Sequence, residues 1–249
     1  MKIKFLGTNG WYSTQTGNTP CVLIDSKEAY IVLDAGEGIY KLDQHVTDGS
    51  KPIYIFISHF HLDHIHGFHI LDKFHFKQPV KIIGKVGLAE VSRLLIRHPF
   101  TKDIEKLPYK ANVEEVDEGR HESPLRFDCA LLPHSDPSMG YRFYIEGKVV
   151  TYCTDTGPSD KALNLARDAD VFISECALRS EEPQEEGWPH MNPESAAGEA
   201  RDAGAGRLVL MHFDAARYTT IEERKEAERV AKSIFTNTVT ATDDMELEL

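Results

Sequence analysis

The sequence has no long hydrophobic run, no paired-cysteine motif and no excess of positive charge. No apolar stretch approaches the roughly 18 residues that a membrane span needs, and no basic-then-apolar signal segment stands at the beginning of the sequence. The four cysteines are scattered without CxxC spacing, which is typical of small core residues in a reduced compartment. The sequence therefore predicts a soluble, cytoplasmic protein without a membrane partner.

The charge balance restricts the partners further. Lys and Arg number 28 against 40 Asp and Glu, which gives a formal net charge of −12. Such a field argues against binding long nucleic acids through a broad basic face. It does not exclude a small anionic substrate, because bound divalent cations can reverse the local sign of a site.

Two common catalytic motifs are also missing. The sequence contains no G-x-S-x-G nucleophile elbow and no glycine-rich phosphate loop.

Strand-like segments, turns and helix-like segments follow one another without a repeat or a long linker, which favours one layered α/β domain over residues 1–249. Hairpins are expected to dominate the first half and helices to separate strands mainly in the second. Residues 97–109, with two prolines and no clean period, are expected to form a surface excursion that can act as a lid.

Ligand-type side chains are concentrated directly after the apolar segment IYIFIS. His59, His61, Asp63 and His64 form the pattern H-x-H-x-D-H. Residues i and i+2 share a face of an extended strand, so His59 and His61 can point at one ion, and a following turn can deliver Asp63 and His64 to a neighbouring one. Imidazole with carboxylate suits zinc, manganese or iron.

Further ligand candidates follow three other apolar segments. His134 comes after CALLP, Asp155 after VVTYCT and His212 after RLVLM. The carboxyl ends of strands are a common location for sites in layered α/β folds. Together with the first cluster they make seven ligands, enough for two metal ions that share one bridging carboxylate.

This pattern resembles the metallo-β-lactamase superfamily, with LDAGEG and SHFHLDHIHG as its signature segments. The resemblance implies a four-layer αβ/βα sandwich with two facing mixed sheets, and a homodimer. It also implies how the ligands are divided: His59, His61 and His134 on one ion, Asp63, His64 and His212 on the other, and Asp155 bridging. Zinc is the expected metal, with manganese or iron as alternatives.

Within the superfamily, the chain looks most like the ribonuclease Z branch. FLGT, TYCTDT, ADVFISECAL, HMNPESAAGEA and MHFDAARY resemble segments of that family. Its tRNA-processing members carry a basic, glycine-rich arm between the third and fourth metal motifs, whereas here only 20 residues, 135–154, separate His134 from Asp155. That length suits a hairpin. It leaves no room for an arm of the kind with which those members bind a large RNA.

The resemblance also assigns catalytic roles. His190, in WPHMNPES, is the expected general acid, with Glu175 orienting its imidazole. Asp63 is expected to accept the proton of the attacking water in addition to ligating, and Arg217 and Tyr218 to contact substrate. Asp34 is expected to hold the second nitrogen of a ligating histidine.

The predicted function is a dinuclear metal-dependent hydrolase. The main interpretation is a phosphodiesterase that uses a metal-bound hydroxide on a small or short phosphodiester, such as a cyclic nucleotide, a cyclic sugar phosphate or an RNA end. One alternative is tRNA 3′ processing, and another is hydrolysis of a lactone or thioester. A redox di-iron role is disfavoured, since His61 stands where the superfamily's electron-transfer members usually have glutamate.

Overall fold

The computed structural model describes residues 1–184 and 187–249. The chain divides into two compact units. The first comprises Met1–Gly7, Asn18–Asp117 and Asp243–Leu249, and the second comprises Thr8–Gly17 and Glu118–Thr242. The prediction of a single domain over residues 1–249 stays a prediction.

The strands follow one another along the chain as β1 (Lys2–Gly7), β2 (Asn9–Gly10), β3 (Cys21–Asp25), β4 (Tyr30–Leu33), β5 (Ile53–Ile57), β6 (Val80–Gly84), β7 (Ala111–Glu115), β8 (Gly119–His121), β9 (Phe127–Leu132), β10 (Ser138–Ile145), β11 (Lys148–Cys153), β12 (Val171–Glu175), β13 (Leu208–Met211), β14 (Phe213–Asp214), β15 (Thr238–Thr240) and β16 (Glu246–Glu248). The α-helices are α1 (Leu62–Ile65), α2 (Leu88–Leu95), α3 (Asp160–Ala166), α4 (Pro193–Asp202) and α5 (Ile221–Ile234). The 3₁₀ helices are Glu37–Gln44, His66–Lys73 and Ile104–Lys106.

The first unit is built on a seven-stranded mixed sheet in the order β16-β1-β3-β4-β5-β6-β7. The pairs from β16 to β4 are antiparallel, and β4 to β7 are parallel. The parallel strand β5, IYIFI, is almost entirely buried, as a continuous apolar run in a parallel sheet should be. The hydrophobic core of the first unit includes Ile55, Phe68 and Phe74.

The second unit has its own seven-stranded mixed sheet, in the order β15-β13-β12-β11-β10-β9-β8. Strands β8 to β11 are antiparallel, and β11, β12, β13 and β15 are parallel. β10 and β11 form the predicted hairpin, closed by Glu146 and Gly147, both with positive φ. The short strands β2 and β14 form a separate parallel pair.

Capping residues determine where the two longest helices of the second unit begin. The Asn192 side chain accepts from the N–H of Ser195 at the start of α4, and Thr220 with Glu223 forms the same reciprocal box at α5. α4 presents Ala196, Ala197 and Ala200 to the core, so it packs closely on its sheet.

Two mixed sheets with helices confirm the predicted α/β class. The expectation that hairpins dominate the first half was incomplete, since β4 to β7 are parallel and joined through helical segments. Residues 97–109 contain one short 3₁₀ turn, and Leu107 and Tyr109 join the core; the lid role stays a prediction. In the described part of the chain, no helix has both the length and the apolar character that a membrane crossing requires.

Glu199, on α4, is a buried carboxyl group with an expected effect on stability. It is 8% exposed, and its Oε2 has no hydrogen-bond partner among the described residues. Burial raises the pKa of Glu199 to about 7. Hydrogen bonds from the backbone N–H groups of Ser159 and Leu163 lower the pKa, but they do not cancel the effect of burial. The folded protein therefore holds this proton more tightly than the unfolded chain does. The contribution to stability is complete below the unfolded pKa and is lost as the pH rises through about 7.

We expect Glu199→Gln to be more stable than wild type at about pH 8, by roughly 3 kcal/mol, with the advantage largely gone near pH 4. Urea unfolding at a series of pH values measures this difference. Glu90→Gln, at an exposed position of α2, is the control and should show no such trend. A constant offset of the Glu199 variant at every pH would contradict the prediction.

Candidate metal centre

In the first unit, the histidine cluster lies immediately beyond the end of β5. The strand ends at Ile57, and His59 and His61 lie in the loop before α1. His59 Nε2 is 2.9 Å from His61 Nδ1, and His64 Nε2 is 3.5 Å from Asp63 Oδ2. The loop, rather than the strand face, therefore brings the first two histidines together, and α1 holds Asp63 and His64 next to each other.

Asp34, at the end of β4, holds this loop in place. Its Oδ1 accepts from the backbone N–H of Ser58 at 2.7 Å, and its Oδ2 lies 2.8 Å from His64 Nδ1. Asp34 is buried and has a left-handed backbone with φ of 60°. A carboxylate that binds one imidazole nitrogen fixes the tautomer, so the other nitrogen is presented as the ligand. This is the anchoring contact that the sequence predicted for Asp34.

In the second unit, Asp155 lies between two histidines. Its Oδ1 is 3.7 Å from His134 Nε2, and its Oδ2 is 3.1 Å from His212 Nε2. Thr154 Oγ1 donates to the same Oδ2 at 2.8 Å. A carboxylate with one oxygen facing each imidazole has the arrangement that a bridging ligand requires.

Left-handed backbone positions aim two of these side chains. Asp155 follows β11 with φ of 49°, and His212 follows β13 with φ of 53°. Non-glycine residues rarely adopt this conformation, which costs about 1–3 kcal/mol and persists where surrounding contacts impose it. Each residue thus turns the chain sharply at the strand end and directs its side chain toward the other. His and Asp with these contacts fit a divalent metal ion of the zinc, manganese or iron type.

His190 and Glu175 form a close pair in the same unit. His190 Nδ1 lies 2.9 Å from each Glu175 oxygen, and Glu175 also accepts from the backbone N–H groups of Thr156 and Met191. Burial lowers the pKa of His190, but the Glu175 carboxylate outweighs it, and the result is a pKa raised to about 9. The His190 ring centroid is 5.0 Å from that of His134 and 6.3 Å from that of His212. The imidazole is therefore held through its Nδ1 beside the candidate ligands His134 and His212.

The two predicted substrate contacts have other partners. Tyr218 is 2% exposed and donates its hydroxyl to the Leu178 carbonyl at 2.7 Å. Arg217 Nε is 2.9 Å from Glu182 Oε1, and the guanidinium also binds Asp214. These contacts hold the segment that leads toward His190, and a contact of either residue with substrate stays a prediction.

Sequence reasoning missed two residues that support the site. The Gln184 side chain brackets the backbone of His190, since Oε1 accepts from its N–H at 3.1 Å and Nε2 donates to its carbonyl. Gly10, on β2, lies against His212: a Cβ atom there would be 2.7 Å from His212 Cε1. Gln184 carries no recognisable motif, and Gly10 has no side chain to signal its role.

We expect Gly10→Ala to displace the His212 ring and to lower the kcat/KM for hydrolysis by about 10- to 100-fold, because small misplacements of groups that position the reaction are costly. Gly198→Ala, on α4, is the matched control, since its Cβ would meet nothing within 4 Å. Steady-state kinetics and thermal unfolding of both variants test this. Unchanged turnover in Gly10→Ala would show that the activity does not depend on the position of the His212 ring.

Comparison with known proteins places these features in a family. The beta-lactamase superfamily domain model matches residues 29–213. Ribonuclease Z of Methanosarcina acetivorans is 26% identical, and the alignment covers 100% of this chain and 98% of the relative. That alignment runs over 309 positions for a chain of 249 residues, so at least 60 positions have no residue here.

Solved structures show the same fold. The metallo-beta-lactamase fold protein YhfI of Bacillus subtilis superimposes with a TM-score of 0.80 and 21% identity, over 99% of both chains. The short form of human tRNase Z gives a TM-score of 0.78 and 23% identity, over 100% of this chain and 99% of that one. The chain therefore belongs to the β-lactamase superfamily, as a metal-dependent hydrolase with the metallo-β-lactamase fold and homology to ribonuclease Z.

Proposed function

We propose that this protein is a phosphodiesterase that cleaves RNA near a 3′ end. Relatives named ribonuclease Z align with the whole chain, which favours the RNA-processing alternative over the small-substrate interpretation that the sequence suggested first. The observation that carries the phosphodiesterase chemistry is the His190–Glu175 pair, with Nδ1 of the imidazole 2.9 Å from the carboxylate.

We propose that two divalent ions, zinc first among them, are bound by the seven predicted ligands: His59, His61, Asp63, His64, His134, Asp155 and His212. When bound, such ions activate water and neutralise the charge that develops on the phosphoryl oxygens. The Asp34 contact to His64 and the two-sided contacts of Asp155 support this assignment.

The protein's own residues supply the proton transfers. Because Glu175 binds Nδ1 of His190, the imidazole donates from Nε2, and we assign to it protonation of the leaving alkoxide. Glu175 is completely buried and fixes the ring orientation, so it acts as a positioning residue. We assign to Asp63 acceptance of the proton from the attacking water.

A small phosphodiester is the second candidate, and one observation favours it. Residues 135–154 are almost fully occupied by β10, β11 and the two-residue turn between them. No arm that reaches out to a folded RNA fits in this fully described segment. With a net charge of −12, affinity for a large RNA has to come from contacts other than a broad basic face.

The two candidates are separated by three substrates offered to the zinc- or manganese-loaded protein: an RNA hairpin with a single-stranded 3′ extension, a cyclic nucleotide, and a lactone. Cleavage of the RNA, with a rate that falls steeply as salt rises, supports the first candidate, since polymer contacts release counterions. Cleavage of the cyclic nucleotide alone, without salt dependence, supports the second. Hydrolysis of the lactone alone would overturn both.

We also propose that the protein is a homodimer located in the cytoplasm. Sedimentation of the purified protein tests the dimer.

A further inference from the structure

Trp188 lies beside the ligand residues of the second unit and is 46% exposed. Its ring centroid is 5.2 Å from that of His134, in an edge-on arrangement, and 6.3 Å from that of His190. A large indole is thus placed next to both a proposed metal ligand and the proposed general acid. Neither the comparisons nor the roles assigned above give this residue a function.

The two residues that follow Trp188 are held in place by contacts. Pro189 packs against Gly157, where an added Cβ would lie 2.9 Å from the proline Cβ. The next residue, His190, is bracketed by Gln184 and paired with Glu175. The backbone that carries the indole is therefore anchored on its C-terminal side, which lowers the entropic cost of using the indole in binding.

Because the protein is negatively charged, an aromatic contact can supply affinity for a nucleic acid that electrostatic attraction does not. A chain with a net charge of −12 gains little from general electrostatic attraction to a polyanion. Stacking of a base on an aromatic ring needs no charge, tolerates any base, and contributes about 1–3 kcal/mol per base. A half-exposed indole next to the ligand residues can supply this affinity within one nucleotide of the reacting phosphate.

We propose that Trp188 is a nucleobase-stacking subsite that binds the base of the nucleotide whose phosphate is at His134 and Asp155. This inference rests on the proposed function for the presence of a nucleotide substrate. It adds a preference: phosphodiesters with an attached base are favoured over equally reactive phosphodiesters without one.

The first test is a binding measurement that does not depend on turnover. The chain contains two tryptophans, Trp11 and Trp188, so Trp11→Phe leaves Trp188 as the only indole. We expect adenosine 5′-monophosphate to quench the fluorescence of the zinc-loaded Trp11→Phe protein saturably, and ribose 5-phosphate to leave it unchanged. In Trp188→Phe, where Trp11 is the only indole, the nucleotide should not quench.

The opposite results overturn the inference. Equal quenching by ribose 5-phosphate would show that the phosphate, rather than the base, is sensed. No quenching by the nucleotide at any concentration would show that Trp188 does not contact a base. If Trp11→Phe fails to fold, subtraction of the Trp188→Phe signal from that of the wild type gives the same comparison.

The second test is kinetic and uses two esters with the same leaving group. Thymidine 5′-(p-nitrophenyl phosphate) carries a base, and methyl p-nitrophenyl phosphate does not. We expect Trp188→Leu to lower kcat/KM for the thymidine ester by roughly 5- to 150-fold, to leave the methyl ester within about twofold, and Trp188→Tyr to recover much of the loss. Equal losses on both esters would make Trp188 a structural support of His134 and His190. If neither ester is hydrolysed, the proposed function fails, and the fluorescence result still decides the subsite.

Discussion

His190→Ala is expected to cleave an RNA phosphodiester about 10²- to 10⁴-fold more slowly than the wild type, the range typical of a lost general acid. The alkoxide that leaves from RNA needs a proton, and Glu175 holds the imidazole that we propose as its source. p-Nitrophenolate leaves without one. The same variant should therefore lose far less activity on bis(p-nitrophenyl) phosphate, and kcat on both substrates measures the difference.

His75→Ala is the matched control for this experiment, because His75 is an exposed histidine of the first unit outside the ligand set. It should retain wild-type rates on both substrates. A His190 variant that loses the same factor on both substrates would show that the imidazole does not protonate the leaving group, whatever else it stabilises.

Asp155→Asn is expected to lose bound metal and to lower kcat by more than 100-fold, because replacing even an outer partner of a ligand costs 10- to 100-fold. Asparagine preserves the shape of the side chain and tolerates the left-handed backbone, so the change removes the charge and one of two ligand oxygens. Elemental analysis of metal per chain, together with kinetics at saturating zinc, measures both effects.

Asp168→Asn serves as the control for Asp155, since Asp168 also has a left-handed backbone, with φ of 52°, and lies in the same unit outside the site. It should bind metal and turn over substrate as the wild type does. Full metal content and activity in Asp155→Asn would remove the bridging carboxylate from the proposed centre.

The sequence predicted elements well where their periodicity is strong. The hairpin of β10 and β11 and the long helix α5 were readable, because alternating apolar residues and capping residues are local signals. The parallel arrangement of β4 to β7 was not, since all three connections contain 3₁₀ helices, at Glu37–Gln44, His66–Lys73 and Ile104–Lys106. Three residues per turn do not produce the 3.6-residue period by which helices are recognised.

In the candidate site too, the chemistry of the residues was predictable from the sequence, whereas their geometry was not. Ligand-type residues at strand ends predicted Asp155 and His212 as metal ligands from chemistry alone, whereas their left-handed backbones are invisible in the sequence. His59 and His61 were expected to share a strand face, but β5 ends at Ile57 and the loop brings them together. The contact of Gly10 with His212 depends on the pairing of β2 with β14, which no local pattern of two residues can specify.

The turn between β10 and β11 also bears on how substrate range changes in such a scaffold. Glu146 and Gly147 form an exposed tip at the end of a well-paired hairpin, the kind of place where insertions are tolerated with little cost to folding. Lengthening this tip would alter neither the paired strands nor any of the proposed site residues. We therefore expect a basic extension grafted at this tip to leave the fold and the proposed metal ligands unchanged, so that its effect on RNA affinity can be measured separately from its effect on stability.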